Sequence, residues 1–221
     1  MREIFSGIYK DERIKNVLFT KNLISGEEVY GERLKISENV EYREFLPSKS
    51  KLSAAIIKGI NKIGLEKSKV VLYLGASTGT TVSHISDIIG KDGFIFAVEN
   101  AAVVIRDLVF LSEKRKNITP IFEDANHPEI YEKRITKVDW LYQDVSQKNQ
   151  VEIFLKNVEM FLKKESYALL SVKARSIDIT KKPNEIFENV KNELMKKLDI
   201  IDFKELQPFQ KDHCLFVCRK I

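Results

Sequence analysis

Apolar positions along this chain change period twice, and each change marks a different kind of structure. Through residue 46 the segments REIFSGIYK, NVLFTKN, EEVYGERLKI and VEYREFL are short and rich in β-branched and aromatic residues. They are broken at Ser25-Gly26 and Ser37-Glu38-Asn39, a pattern that predicts a small antiparallel sheet of hairpins. Pro47 closes this section, and Ser48 or Ser50 is placed to cap a helix. That helix carries Leu52, Ile56, Ile60 and Ile63 on one stripe, with Gly64 ending it.

From Val70 onward the pattern alternates between strands and helices. Strands are predicted at 70–74, 94–98, 118–122, 138–142, 167–172, 200–206 and 214–219. Helical stripes fall between most of them: Val82, Ile85 and Ile89; Val151, Phe154, Leu155, Val158 and Phe161; Ile186, Val190, Leu194 and Leu198. Regular alternation implies a mostly parallel sheet covered on both faces. Only QPFQKDH separates the last two strands, too short for a crossover helix, so that pair is predicted antiparallel. Two domains follow, a hairpin domain over 1–46 and an α/β domain over 47–221.

Composition narrows the setting. The chain has 221 residues, 43% hydrophobic and 31% charged, ordinary for a globular protein. No apolar run approaches the roughly 20 residues of a membrane span. The beginning MREIFSGIYKDERIK has no hydrophobic signal core, so a cytoplasmic location with no membrane association is expected. Lys and Arg number 37 against 32 Asp and Glu, giving +5, which permits a polyanionic partner without requiring one. Cys214 and Cys218 share one face of the last strand with Phe216 and are expected to be reduced and buried. Histidines at 84, 127 and 213 show no zinc-ligand spacing, and no metal is expected.

The chemistry concentrates at strand ends. In VVLYLGASTGTTVSHISDIIGKDGFIFAVE, Gly75 and Gly79 permit a sharp turn and close approach of a ligand. Thr80 and Thr81 open the next helix, with free N–H groups and hydroxyls predicted to face a ligand. Glu99, followed by Asn100, is placed to accept hydrogen bonds from a ribose diol. Asp124-Ala125 is suited to an adenine amino group, and Asp144-Val145-Ser146-Gln147 forms a fourth strand-end cluster. Four such clusters on successive strands favour an adenosyl cofactor; singly, each also reads as a cap or a loop. Lys173 and His213 stand at the same rim, where an edge lysine and a turn residue are the alternatives. Lys51 lies in the first turn of a helix, an electrostatically unfavourable place for a cation, so something other than the helix is expected to keep it there.

The glycine spacing GASTG and the terminal antiparallel pair resemble the methyltransferase variant of the Rossmann-like fold, not a dinucleotide dehydrogenase with GxGxxG. More specifically, the signature segment above, with FLPSKSKLSAAIIKG, EDANHPEIY, VDWLYQDVSQKNQ, LLSVKARSID and KDHCLFVCRK, resembles the fibrillarin family, most closely its archaeal members. The resemblance covers about residues 42 to 220, and the hairpin-rich beginning is similar as well.

That resemblance implies S-adenosylmethionine-dependent 2′-O-methylation of ribose in rRNA and tRNA, directed by box C/D guide RNA. It implies a Nop-domain scaffold protein and a kink-turn-binding protein as partners. Cofactor contacts fall on Thr80, Thr81, Glu99, Asn100, Asp124, Ala125 and Asp144 to Gln147, and a catalytic set on Lys51, Asp144, Lys173 and His213. In the implied mechanism Asp144 holds Lys173, which acts on the 2′-oxygen as base or electrostatic stabiliser, while Lys51 and His213 orient substrate and tune Lys173. Phe45 stands where the family often has Trp, Lys49 where it often has Arg, and Asn100 where an aromatic residue is usual. A stand-alone RNA methyltransferase, a non-catalytic assembly subunit and a NAD-dependent dehydrogenase are the alternative readings.

Overall fold

Alternation with period two produces the first sheet of the computed structural model, which describes residues 1–221. Strands β1 (Arg2–Phe5), β2 (Ile8–Lys10), β3 (Leu18–Lys21), β4 (Leu34–Ser37) and β5 (Val40–Phe45) pair antiparallel in the order β1-β2-β3-β5-β4. Glu38 and Asn39, both at positive φ (53° and 61°), make the two-residue turn between β4 and β5, whose backbone twist matches that of the flanking strands. The predicted strand EEVYGERLKI forms only from Leu34. Before it, the Glu32 carboxylate accepts the N–H groups of Val29 and Tyr30, which turns the chain back on itself.

The second sheet holds β6 (Val70–Leu74), β7 (Phe94–Glu99), β8 (Ile118–Phe122), β9 (Val138–Gln143), β10 (Leu162–Lys173), β11 (Leu198–Glu205) and β12 (His213–Lys220). Their order is β11-β12-β10-β9-β6-β7-β8, with β12 antiparallel to both neighbours and every other pairing parallel. This is the doubly wound arrangement with a terminal reversal that the spacing predicts. Helices α1 (Lys51–Ile57), α2 (Thr80–Ile89), α3 (Ala102–Lys114), α4 (Pro128–Tyr131), α5 (Gln150–Phe161), α6 (Ala174–Ile177) and α7 (Pro183–Leu194) connect the strands. No helix is long and apolar enough to cross a membrane.

Two boundaries differ from expectation. The helix after Pro47 stops at Ile57, because Gly59 turns the chain at φ +87°; Ile60 and Ile63 reach the same core from irregular backbone. Leu198, placed with the α7 stripe, instead begins β11 and packs on the same core as Leu194.

Successive residues of the central strands feed opposite cores. Tyr73, Trp140, Tyr142, Leu169, Leu215 and Val217 meet α1 and α2 on one face, together with Ile8, Leu18 and Phe45 from the first sheet. Leu72, Leu141, Leu170, Cys214, Phe216 and Cys218 meet α5 and α7 on the other. Each fully buried apolar side chain of this size contributes about 1.5–3 kcal/mol relative to exposure. Trp140, the chain's one tryptophan, is fully buried, and its Nε1–H donates to the Ile63 carbonyl at 2.7 Å.

A buried polar network also ties the first sheet to α2. Arg43 of β5 donates to Glu32 (2.6 Å), to Asp87 of α2 (2.8 Å) and to Ser83 (3.0 Å). Asp87 also accepts from Arg115 (2.6 Å), the Thr20 hydroxyl (2.8 Å) and the Leu23 N–H (3.0 Å). The ring nitrogens of His84 hydrogen-bond the hydroxyls of Thr20 and Tyr30, both at 2.8 Å. The helix whose first turn carries Thr80 and Thr81 is thereby held to the hairpin sheet.

Candidate active site

The carboxyl edge of the large sheet collects the predicted residues. At the end of β6 the chain turns at Gly75, φ +79°, where a Cβ would sit 2.5 Å from the Asp144 carbonyl oxygen. Only glycine fits there, because the backbone after β9 passes directly against the loop; the Asp144 N–H donates to the Leu74 carbonyl at 2.9 Å. Gly79 is the N-cap of α2 without a side-chain cap, so the first-turn N–H groups of Thr80 and Thr81 have no intrahelical acceptor.

A cleft opens between this loop and the ends of β7 and β9. Gly75, Glu99, Asn100, Ala125, Val145 and Gln147 line it, all expected, together with Val98 and Glu123, which the sequence reading missed. Glu99 Oε2 accepts the Ser77 N–H (2.7 Å), and Oε1 accepts those of Asn100 (3.0 Å) and Ala101 (2.9 Å). A carboxylate offers about four acceptor positions, so three backbone donors fix its plane and one position remains for a ligand. Asp124 Oδ1 accepts the Asn126 N–H (2.9 Å) and the Gln147 side-chain amide (3.4 Å), which ties the β8 and β9 loops together. Asp124 is not a helix cap, since α4 begins after His127.

Six of the expected contacts are not in that lining: Gly79, Thr80, Thr81, Asp124, Asp144 and Ser146. The Thr81 hydroxyl does not face the cleft; it donates to Ser50 Oγ at 3.1 Å, because Thr81 is buried against the start of α1. Ser146 is exposed and does not line the cleft.

Beside the cleft stand four polar side chains from four parts of the chain. Lys51 opens α1, held by the Ser50 N-cap, and its Nζ donates to Asp144 Oδ2 at 2.7 Å. That carboxylate offsets the unfavourable helix position of the cation. Both side chains are largely shielded, 25% and 16% exposed, so the pair is more than a screened surface contact. Lys173 ends β10 directly opposite His213, which begins β12. The reversal of β12 puts its first residue at the edge where the parallel strands end.

The expected grip of Asp144 on Lys173 is not present: Asp144 spends itself on Lys51, and the ammonium of Lys173 has no protein hydrogen-bond partner. His213 Nδ1–H donates to the Lys211 carbonyl at 2.6 Å, which leaves Nε2 as the ring's acceptor when neutral. Burial holds the His213 imidazole below its ordinary value; the Lys211 carbonyl and Asp144 oppose that shift, while Lys51 and Lys173 reinforce it.

Sequence reasoning also missed residues that lock this geometry. Gln210 donates to the Pro47 carbonyl at 2.9 Å, joining the approach to Lys51 with the turn before His213. Polar residues that bond a distant backbone carry no local signature.

The family model described as Fibrillarin matches residues 1–221. The fibrillarin-like rRNA/tRNA 2′-O-methyltransferase of Methanococcus vannielii is 48% identical over 221 residues, covering 98% of this chain and 95% of the relative. The crystal structure of Aeropyrum pernix fibrillarin in complex with natively bound S-adenosyl-L-methionine superposes with a TM-score of 0.85 at 40% identity, covering 99% of this chain and 100% of that one. A fibrillarin/Nop5p complex gives 0.90 at 39% identity, with both chains fully covered. The whole chain, from the hairpin sheet to the last strand of the large sheet, belongs to the fibrillarin family.

Proposed function

We propose that this chain is an S-adenosylmethionine-dependent 2′-O-methyltransferase acting on ribose in rRNA and tRNA, with the cleft holding the cofactor. One observation carries the reading: Lys51, Asp144, Lys173 and His213 converge at the sheet edge beside a cleft lined by residues expected to hold an adenosyl group. The donor set suits that group. Glu99 keeps an acceptor position for a ribose diol, Asp124 supplies a second carboxylate, Val98, Ala125 and Val145 supply apolar walls, and Gly75 leaves room for close approach.

When bound, S-adenosylmethionine supplies a methyl group already activated by its sulfonium. What remains for the protein is to position a ribose hydroxyl and favour loss of its proton. Lys173, the cation of the set with no internal partner, is the residue that acts on the 2′-oxygen. Lys51 and Asp144 form a fixed ion pair that sets the field beside it. His213, neutral near pH 7 because its proton affinity is lowered, leaves Nε2 able to accept a hydrogen bond.

A Nop-domain scaffold protein is the proposed partner, supported by the relative solved with Nop5p. A kink-turn-binding protein and a box C/D guide RNA complete the proposed particle, with guide pairing selecting the nucleotide and leaving this chain little base readout to perform. The test is methylation of a guide-matched RNA by the chain reconstituted with scaffold, kink-turn protein and guide. Methyl transfer to the ribose directed by the guide supports the reading; strong transfer by the chain alone supports stand-alone action, and none in either setting overturns it.

A further inference from the structure

Gln150, the first residue of α5, is fully buried although it is polar. Its side-chain amide makes three hydrogen bonds. Oε1 accepts the Lys173 N–H at 3.1 Å, and Nε2 donates to the carbonyls of Gln147 (3.0 Å) and Lys173 (3.4 Å). Its own backbone carbonyl accepts from the side chain of Gln143, also fully buried, at 2.6 Å.

The reason lies in the sheet. The parallel ladder between β9 and β10 ends at the pair Leu170–Gln143, while the ladder between β9 and β6 runs on to the bond from the Asp144 N–H to the Leu74 carbonyl. Lys173 therefore projects past its neighbour, with the backbone groups on that side unpaired by any strand. The Gln150 amide, chemically a peptide group, takes the place of the missing strand and pairs with both the N–H and the carbonyl of Lys173. The same amide holds the Gln147 carbonyl, in the loop that lines the cleft.

We propose that Gln150 is a positioning residue for methyl transfer, fixing the backbone of Lys173 relative to the cofactor loop by completing the sheet ladder with its side chain. It touches neither substrate nor cofactor; its effect is on where the Lys173 ammonium stands. This inference rests on the function proposed above. A displacement of about 1 Å at a reacting group is enough to lower a rate about a hundred-fold.

The test is Gln150→Leu, which keeps the buried volume and removes the amide. In the reconstituted particle kcat is expected to fall about a hundred-fold, while the KM for S-adenosylmethionine changes less than about five-fold. In the isolated chain, hydrogen exchange at the Lys173 N–H is expected to lose protection while that of Leu170, inside the ladder, keeps it. Wild-type kcat, a loss confined to KM, or intact Lys173 protection overturns the proposal.

Should Gln150→Leu fail to fold, Gln150→Glu replaces it. That variant keeps an acceptor for the Lys173 N–H but, when ionised, has no proton for the two carbonyls. Its kcat relative to wild type is expected to rise as pH falls from about 8 to about 6, as burial favours protonation of the new carboxyl; a flat ratio overturns the proposal. A wild-type particle that transfers no methyl group refutes the functional reading instead, and the exchange measurement still decides whether Gln150 holds Lys173.

Discussion

The ammonium of Lys51 and the carboxylate of Asp144 meet at 2.7 Å across 93 positions of sequence, and this pair joins the start of α1 to the loop after β9. Replacing Lys51 by Met leaves Asp144 without its cation at the mouth of the cleft. The expected result is a loss of methyl transfer of about a hundred-fold, with stability lowered by about 1–3 kcal/mol because the largely shielded Asp144 loses its cation. Single-turnover kinetics and a urea titration measure the two effects; an undiminished rate would show that the pair is only structural.

Lys173→Ala removes the one cation of the set that has no internal partner. Transfer is expected to drop by about 10²–10⁴-fold, the usual worth of a positioned acid–base group. Calorimetry should find S-adenosylmethionine affinity little changed, since Lys173 does not line the cleft. Full activity in this variant would remove Lys173 from the mechanism.

At Gly75 the expected damage falls on binding first. An alanine there has its Cβ 2.5 Å from the Asp144 carbonyl and an unfavourable positive φ. About 1–3 kcal/mol of strain is expected, enough to shift the loop and weaken cofactor binding. Equilibrium dialysis with labelled cofactor checks this, and a wild-type dissociation constant would contradict the close packing.

Asp87 holds two buried arginines, Arg43 and Arg115, through hydrogen bonds of 2.8 and 2.6 Å. Asp87→Asn is expected to destabilise the protein by about 3–5 kcal/mol, since removing one partner of a buried ion pair leaves uncompensated charge. Chemical denaturation followed by circular dichroism gives the value.

Acid sensitivity follows from His84 and His213. Burial lowers the proton affinity of both, and for His84 the nearby charges of Arg43 and Arg115 lower it further. The unfolded chain takes up protons at these residues near pH 6.5, which the folded chain refuses. Stability is therefore intact above about pH 6.5 and falls as the pH drops toward the depressed folded values, by up to about 1.4 kcal/mol per pH unit for each histidine. Denaturation curves between about pH 7.5 and 5 test the sign, and His84→Gln should flatten the slope.

The parts that were legible in the sequence are those with short-range periodicity. Strand alternation, the α2 and α5 stripes and the strand-end acids all depend on neighbours within about eleven residues. The α1 terminus was misplaced because Ile60 and Ile63 keep helical spacing while Gly59 bends the chain away; buried apolar residues need a core, not a helix. The pairing of Asp144 with Lys173 comes from the family resemblance alone; the choice between two lysines depends on where α1 lies, which no local pattern encodes. The Arg43–Asp87–Arg115 network was invisible for the same reason, since each residue alone reads as a solvated charge.

Trp140 turns the fold into its own optical reporter. The indole is fully buried, bonded to the Ile63 carbonyl and stacked on Tyr142 with ring centroids 5.8 Å apart. Tyr142 stands on β9, two residues before Asp144 in the loop that follows the strand. With a single fluorophore of its kind in the chain, emission on selective excitation reads one location: the strand that leads to Asp144 and the segment that returns from α1. A change in spectrum on adding cofactor would then be a local signal of strain passing down β9, with no label introduced.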